Sequence, residues 1–221
     1  MYKRQDKSAE LDKIAKVGKR TDPDVEAIAN LKPDLILINN TNKKDELYES
    51  LAKIAPTVVT EGTGINWKQD FLLIAAALGT TEKAEKLMEE YTTKAKSVGQ
   101  KAGTEKTFSF LYASADRTRI FAKSSFVGSI CQDASLARPA AAQVEKTSID
   151  LSSEQLDQAD GDYLFYGVQG GDESKLTGEA LWSTLKAVTE KRAHSVDSDM
   201  FFLNAGPAAA LGVLETIEKA L

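Results

Sequence analysis

The sequence predicts an α/β protein of two lobes joined by one long helix. Three observations carry that expectation: an internal repeat, a regular alternation of helical and strand-like apolar patterns, and one uninterrupted amphipathic stretch between the repeated halves. Residues 22–38 (DPDVEAIANLKPDLILI) and 150–166 (DLSSEQLDQADGDYLFY) share an acidic and apolar frame at a constant offset of 128. Asp22 matches Asp150, Glu26 matches Glu154, Ile28 matches Leu156 and Asp34 matches Asp162. Each copy reads as a helix, a turn and a buried strand, and a repeated supersecondary unit normally means a repeated lobe.

The first lobe is expected over residues 1–80. After Ile38 come a polar loop (NNTNKKD), an amphipathic helix (ELYESLAKI), a short apolar strand (TVV), an aromatic loop (TGINWKQDF) and an apolar helix ending at Gly79. Residues 81–102 (TEKAEKLMEEYTTKAKSVGQKA) place Ala84, Leu87, Met88, Tyr91, Ala95 and Val98 at helical spacing. Thr80 or Thr81 caps this helix, Glu82 favours its positive end and Gly103 stops it, so it reads as a strut between lobes.

The second lobe, residues 103–221, opens with a strand (TFSFLYAS), a turn (ADRTR), a second apolar run (IFA) and a helix (SFVGSICQDASL) before its copy of the frame. A Gly-rich loop (GVQGGDES), a helix (GEALWSTLKAV), a strand near His194 to Val196, an aromatic loop (DSDMFF) and an Ala/Leu helix follow. Helices alternating with short apolar runs are the signature of crossover units on a parallel sheet. The first half opens only with MYKRQDKSAELDKIAKVGK. The symmetry therefore calls for about one more strand and helix there: either the first lobe is smaller, or an N-terminal segment is missing.

Composition narrows the function classes. With 42% hydrophobic residues the chain can bury one or two cores, and a net charge of -5 with lysines scattered among acids gives no basic stripe for nucleic acid. No apolar run approaches the ~18 residues of a membrane span. The single cysteine, Cys131, sits in an apolar helical pattern and reads as buried and inert, while the single histidine, His194, reads as a surface or hydrogen-bonded residue. One His and one Cys do not assemble the usual transition-metal ligand sets. Nucleophile-elbow, dinucleotide and P-loop patterns are absent, and Ser183-Thr-Leu-Lys186 fits S-x-x-K by letter only, so no catalytic residue is assigned.

Two lobes without a catalytic constellation point to a clamp that binds a ligand between them. In α/β sheets ligands sit beyond the carboxyl ends of the strands. The loops in those positions are Asn39 to Asn42, Thr63 to Trp67, Ser114 to Arg119, Tyr166 to Gly171 and Phe201 to Asn204. Aromatic residues beside arginine and amide groups suit a large, oxygen-rich or anionic ligand.

The runs VGKRTDPDVEAIANLKPDLILI, SFVGSICQDASLARP and SSEQLDQADGDYLF, with the closing LWSTLKAV, AHSVDSDMFF and GPAAALGVLETIEKAL, resemble the ABC-transporter solute-binding proteins for ferric siderophores, a class that includes cobalamin and haem binders. The resemblance covers roughly residues 17–221. It implies a class III periplasmic binding protein: two Rossmann-like lobes on one helix, outside the cytoplasmic membrane, the first lobe here lacking its opening strand and helix. It implies a ferric siderophore as ligand, an ABC permease dimer as partner, iron present only inside the chelate, and contact with membrane only through the permease or a lipid anchor not present in this chain. It assigns Glu26 and Glu154 to permease docking, the competing reading being that each complements the positive end of its own helix. It places Arg119 toward the ligand, with Tyr112 where many relatives carry arginine, which favours a neutral or weakly charged hydroxamate over a tricatecholate. Trp67, Tyr166, Phe201 and Phe202 are expected as walls, and Arg138 as a lesser contact. The alternatives are a cobalamin or haem binder and a non-transport α/β domain of metallocofactor metabolism.

Overall fold

A computed structural model describes residues 13–19, 22–40, 45–62 and 64–221. The opening residues 1–12, and Thr41, Asn42 and Thr63 of the expected ligand loops, lie outside the described residues. The chain divides into two compact units, one of residues 1–62 and 69–84, the other of residues 63–68 and 85–221.

In the first unit, strands β1 (Gly18–Lys19) and β2 (Asp22–Pro23) form a short antiparallel pair. Helix α1 (Val25–Asn30) follows, its first turn closed by the Asp24 carboxylate, which accepts from the Ala27 amide at 2.9 Å. An acidic cap satisfies an otherwise orphaned donor and lies at the positive end of the helix. Strand β3 (Ile36–Asn39) runs parallel to β4 (Thr57–Thr60), with α2 (Asp45–Ala52) as the crossover. Ile36, Leu51 and Ala55 are the buried centre of this small core, with Val25, Ile28, Ile38, Leu47 and Ile54 packed around them. Helix α3 (Trp67–Ala77) begins in the second unit and continues in the first.

Helix α4 forms over Thr81–Ala102, the span its periodicity predicts. It is not a free strut. From Glu85 onward it belongs to the second unit, whose core includes Tyr91, Ala95, Val98 and Ala102. Apolar side chains every third or fourth residue bury most of the helix in this unit.

The second unit is built on a five-stranded sheet in the order β7-β6-β5-β8-β9, comprising β5 (Phe108–Ala113), β6 (Thr118–Phe121), β7 (Ser148–Leu151), β8 (Tyr163–Val168) and β9 (Ala193–Ser195). β5, β8 and β9 are parallel, and β6 pairs antiparallel with both β5 and β7. All six residues of β5 and of β8 are buried, as both faces of a covered parallel sheet require. One face packs on α4, α5 (Phe126–Asp133) and the closing helix Pro207–Ala220, the other on short helical turns. Ser125 caps α5 through its hydroxyl, which accepts from the Gly128 amide at 2.9 Å. A Cβ on Gly99 of α4 would lie 2.0 Å from the Ala134 carbonyl oxygen just past the end of α5, so the two helices meet backbone to backbone.

Three segments differ from the sequence reading. The second copy of the repeat forms a 3-10 helix (Ser153–Ala159) where the first forms α1. The expected helix GEALWSTLKAV is broken at Leu185, whose ψ of 135° is extended, and a new turn (Lys186–Thr189) starts there. The Asp160 carboxylate caps that turn, accepting from the Lys186 and Ala187 amides. The aromatic loop DSDMFF coils into a π-helical turn, Asp199–Leu203.

Asp162, the repeat partner of Asp34, ties down the amino end of the interior strand β8. Its carboxylate takes the Lys186 ammonium at 2.7 Å and the Thr107 amide at 2.8 Å. The Lys186 hydrogen bond, followed by the Thr107 amide, holds its pKa down at about 2. A depressed carboxylate pKa contributes stability that is full above its unfolded value, about 3.9, and is lost as pH falls through about 2. Asp162→Asn is therefore expected to lower the melting midpoint at pH 7, with the gap to wild type closing between pH 4 and 2; a gap independent of pH would sink this assignment.

Candidate functional site

The pleat of the sheet sorts the candidate residues before any side-chain contact is considered. On β5, Phe108, Phe110 and Tyr112 share one face; by cross-strand register Phe165 and Gly167 of β8 lie beside Phe110 and Tyr112, and Arg119 of β6 opposite Tyr112. Leu111 and Tyr166, paired in the same register, share the opposite face. Tyr112 and Gly167 are each one residue from the carboxyl end of their parallel strands, the position where α/β sheets present ligands to loops.

At that end Arg119 lies along two rings, its guanidinium carbon 5.5 Å from the Tyr112 centroid and 5.7 Å from that of Phe121. Its Nε is buried without a hydrogen-bond partner, and it forms no ion pair with a described residue. Asp150, opposite Arg119 in the strand register, approaches Arg117 at 4.0 Å. Ser109 Oγ, Arg138 Nη1 and His194 Nε2 are likewise buried without a described partner, and a buried donor left unpaired is costly. Tyr112 itself is only 3% exposed, and it supports Arg119 with its ring.

Phe202 completes the cluster. Half-buried, it lies 5.3 Å from Tyr112 and 4.9 Å from Phe121, centroid to centroid. The π turn aims Phe201 and Phe202 differently. Phe201, 1% exposed, packs against Phe110 and Phe165 in the core. Asp197 and Asn204 hold the turn: Met200 donates its amide to Asp197 Oδ1 at 3.0 Å, and the Asn204 amide reaches the Asp199 carbonyl at 2.9 Å, the five-residue spacing of a π turn.

The remaining candidates lie outside this cluster. Trp67, 3% exposed, stands edge-on to Tyr91 (5.0 Å) and Phe126 (5.7 Å), donates its indole N–H to Ser129 Oγ at 3.0 Å and lies in the core of the second unit. Phe201 is core for the reason just given. Tyr166 faces the other side of the sheet, against Trp182 at 4.9 Å, with its hydroxyl donating to Glu173 at 3.1 Å. Arg138, 8% exposed, donates Nε to the Phe108 carbonyl at 2.7 Å and Nη2 to the Phe121 carbonyl at 2.6 Å, and so ties β5 to β6 beneath the site. Cys131 is buried beside it, and burial pushes its thiol pKa up. His194 stacks on Phe165 at 5.4 Å, and its burial lowers its pKa.

Glu26 and Glu154 occupy equivalent places: each is exposed, two residues after the residue that precedes its helix, Asp24 for Glu26 and Ser152 for Glu154. Neither pairs with a described cation. Among the described residues no group of three or more His, Cys, Asp or Glu is arranged to hold a metal, and no helix is long and apolar enough to cross a membrane. Phe121 and Gly167 were not foreseen; counting alternate residues from Tyr112 across paired strands would have reached both.

A family model described as periplasmic binding protein matches residues 1–200. The probable siderophore-binding lipoprotein YfiY of Bacillus subtilis (strain 168) is 34% identical over 223 aligned positions, covering 93% of this chain and 68% of the relative. The iron(3+)-hydroxamate-binding protein FhuD of the same organism is 29% identical, covering 89% of this chain and 65% of the relative. The chain thus spans about two thirds of the length of these relatives. The crystal structure of Staphylococcus aureus SirA superposes with a TM-score of 0.84 at 27% identity, covering 99% of this chain and 87% of that one.

Proposed function

Since this chain belongs to the periplasmic binding protein family, we propose that it is the extracytoplasmic solute-binding component of an ABC importer, that it captures a ferric siderophore, with hydroxamates favoured, and that it delivers the chelate to a permease dimer. The observation that carries this reading is the unpaired, buried Nε of Arg119 framed by Tyr112 and Phe121 at the carboxyl ends of parallel strands. A positive group on an aromatic floor suits a bulky chelate whose outer surface carries carbonyl or anionic oxygens. The siderophore itself supplies the ligands to iron, so the protein has only to recognise the chelate's surface. The names of the relatives, one for siderophores in general and one for iron(3+)-hydroxamates, support the substrate class.

In this reading Arg119 meets ligand oxygen, Tyr112 and Phe121 hold its guanidinium in place, Phe202 is the half-exposed wall, and Glu26 and Glu154 meet cations of the permease. Arg119→Ala is expected to weaken binding of a ferric trishydroxamate by about 10- to 100-fold, the loss of a hydrogen bond to a charged group. The melting midpoint of the unliganded protein should change little, because Arg119 gives up only its contacts with the Tyr112 and Phe121 rings and no hydrogen bond or ion pair with a described residue. Titration by tryptophan fluorescence alongside thermal melts decides it: equal losses of affinity and stability would make Arg119 a structural residue. A ligand at 100 times its Kd stabilises a fold by about 2.7 kcal/mol, enough for a thermal-shift screen of ferric hydroxamates, catecholates, carboxylates, haem and cobalamin to identify the class.

A further inference from the structure

Arg138 is a buried cation without a counter-charge. It is 8% exposed and forms no ion pair with a described residue. Nε and Nη2 donate to the Phe108 and Phe121 carbonyls, and the guanidinium carbon lies 4.9 Å from the Phe110 ring centroid. Carbonyl dipoles and a ring face stabilise a guanidinium without neutralising it, and burying an unbalanced charge is expensive. Nε and Nη2 form one edge of the planar fork, so Nη1 is turned away from the two carbonyls. It is buried with no hydrogen-bond partner.

Beside it lies a cavity of about 190 Å³, bordered by Arg138, Cys131, Lys123, Gln132, Ser135 and Gln143. None of the described residues bordering it is acidic, in a chain whose net charge is -5. Gln143 is fixed on its wall by donating its side-chain amide to the Arg138 carbonyl at 3.0 Å. Burial outweighs the nearby Arg138 charge and raises the Cys131 pKa, so the thiol stays neutral and is a weak acceptor. Lys123, half-buried, pairs with the exposed Glu145 at 3.3 Å, a surface contact worth little.

We propose that this cavity binds a small inorganic oxyanion, of phosphate or sulfate size, between Arg138 and Lys123. Its volume is below the roughly 300 Å³ at which sites for drug-sized ligands begin, so a bulky chelate does not fit. Arg138 holds Phe108, the first residue of β5, whereas Tyr112 of the Arg119 cluster lies near that strand's other end. The anion neutralises the clasp between β5 and β6 and is separate from the siderophore-binding reading, which stands or falls without it.

Isothermal titration calorimetry of inorganic phosphate into protein equilibrated in chloride, at constant ionic strength, is expected to give a saturable one-site isotherm. Lys123→Ala should weaken binding about tenfold, the loss of one hydrogen bond to a charged group. Gln132→Glu puts a carboxylate on the rim and should abolish binding. Both side chains lie at the surface, and far-ultraviolet circular dichroism checks that the variants fold. Thermal melts give a second readout: phosphate should raise the wild-type midpoint along the same saturation curve and leave Gln132→Glu unmoved. A rise linear in phosphate and equal in all three proteins is the general effect of an excluded salt and overturns the proposal. A saturable isotherm that neither variant changes places the phosphate elsewhere and overturns it too, as does the absence of any binding heat or midpoint shift, which leaves Nη1 to water.

Discussion

Reversing the charge at both Glu26 and Glu154 is expected to reduce chelate uptake more than tenfold while leaving chelate affinity within about twofold of wild type. Both carboxylates project from the first turn of a short helix, exposed and without a described cation beside them. Each gains a little from the positive end of its helix, about 0.3–1 kcal/mol, so two lysines there cost the fold modestly. Against arginine or lysine on a partner, the same changes replace attraction with repulsion, and like charges facing each other at an interface cost several kcal/mol. Transport into proteoliposomes containing the permease measures the first effect, and chelate titration of the isolated protein measures the second. A parallel fall in affinity would return both residues to helix stabilisation.

Trp67→Ala is expected to destabilise the second unit by about 3–5 kcal/mol, the range for emptying a large aromatic site in a packed core. The indole is wedged edge-on between Tyr91 and Phe126, and its N–H is satisfied by Ser129. The next residue, Lys68, pairs with Asp133 at 2.8 Å, and Asp133 also accepts from the Tyr91 hydroxyl at 2.6 Å, so the cavity opens beside a polar network that depends on the same packing. Trp67→Phe keeps most of the apolar contact and loses the hydrogen bond, about 1 kcal/mol. Urea denaturation followed by far-ultraviolet circular dichroism measures both. A Trp67→Ala variant of unchanged stability but weakened chelate binding would restore Trp67 to the ligand wall.

The architecture was legible because its signals are periodic. The apolar spacing from Ala84 to Val98 marked α4, and the matched acidic and apolar frames marked one α1-like segment and one strand in each half. What escaped depended on single contacts across the chain. Leu185 breaks a helix because Asp160, 26 residues from Lys186, captures the next turn's amides. Trp67 looks like a loop aromatic in sequence and becomes core because Ser129, 62 residues away, offers its hydroxyl. Arg119 was expected only through the family resemblance, and the structure sets its guanidinium beside the Tyr112 and Phe121 rings. Tyr166 lies on the opposite face of the sheet from Tyr112, which adjacency in sequence could not show, since the pleat reverses the face at every residue. Arg138 precedes a proline in an apparent loop, and only the fold brings two free carbonyls to its guanidinium.

The contact between Gly99 and the Ala134 carbonyl has a mechanical side. Most neighbouring helices are held apart by interleaved side chains, whose rotamers act as a compliant cushion between rigid rods. Here the cushion is absent at one point, and the spacing of α4 and α5 becomes a property of the main chain alone. Since α5 carries the Ser129 and Asp133 that hold Trp67 and Lys68, the first turn of α3 is anchored to a helix whose place beside α4 is set by main-chain contact.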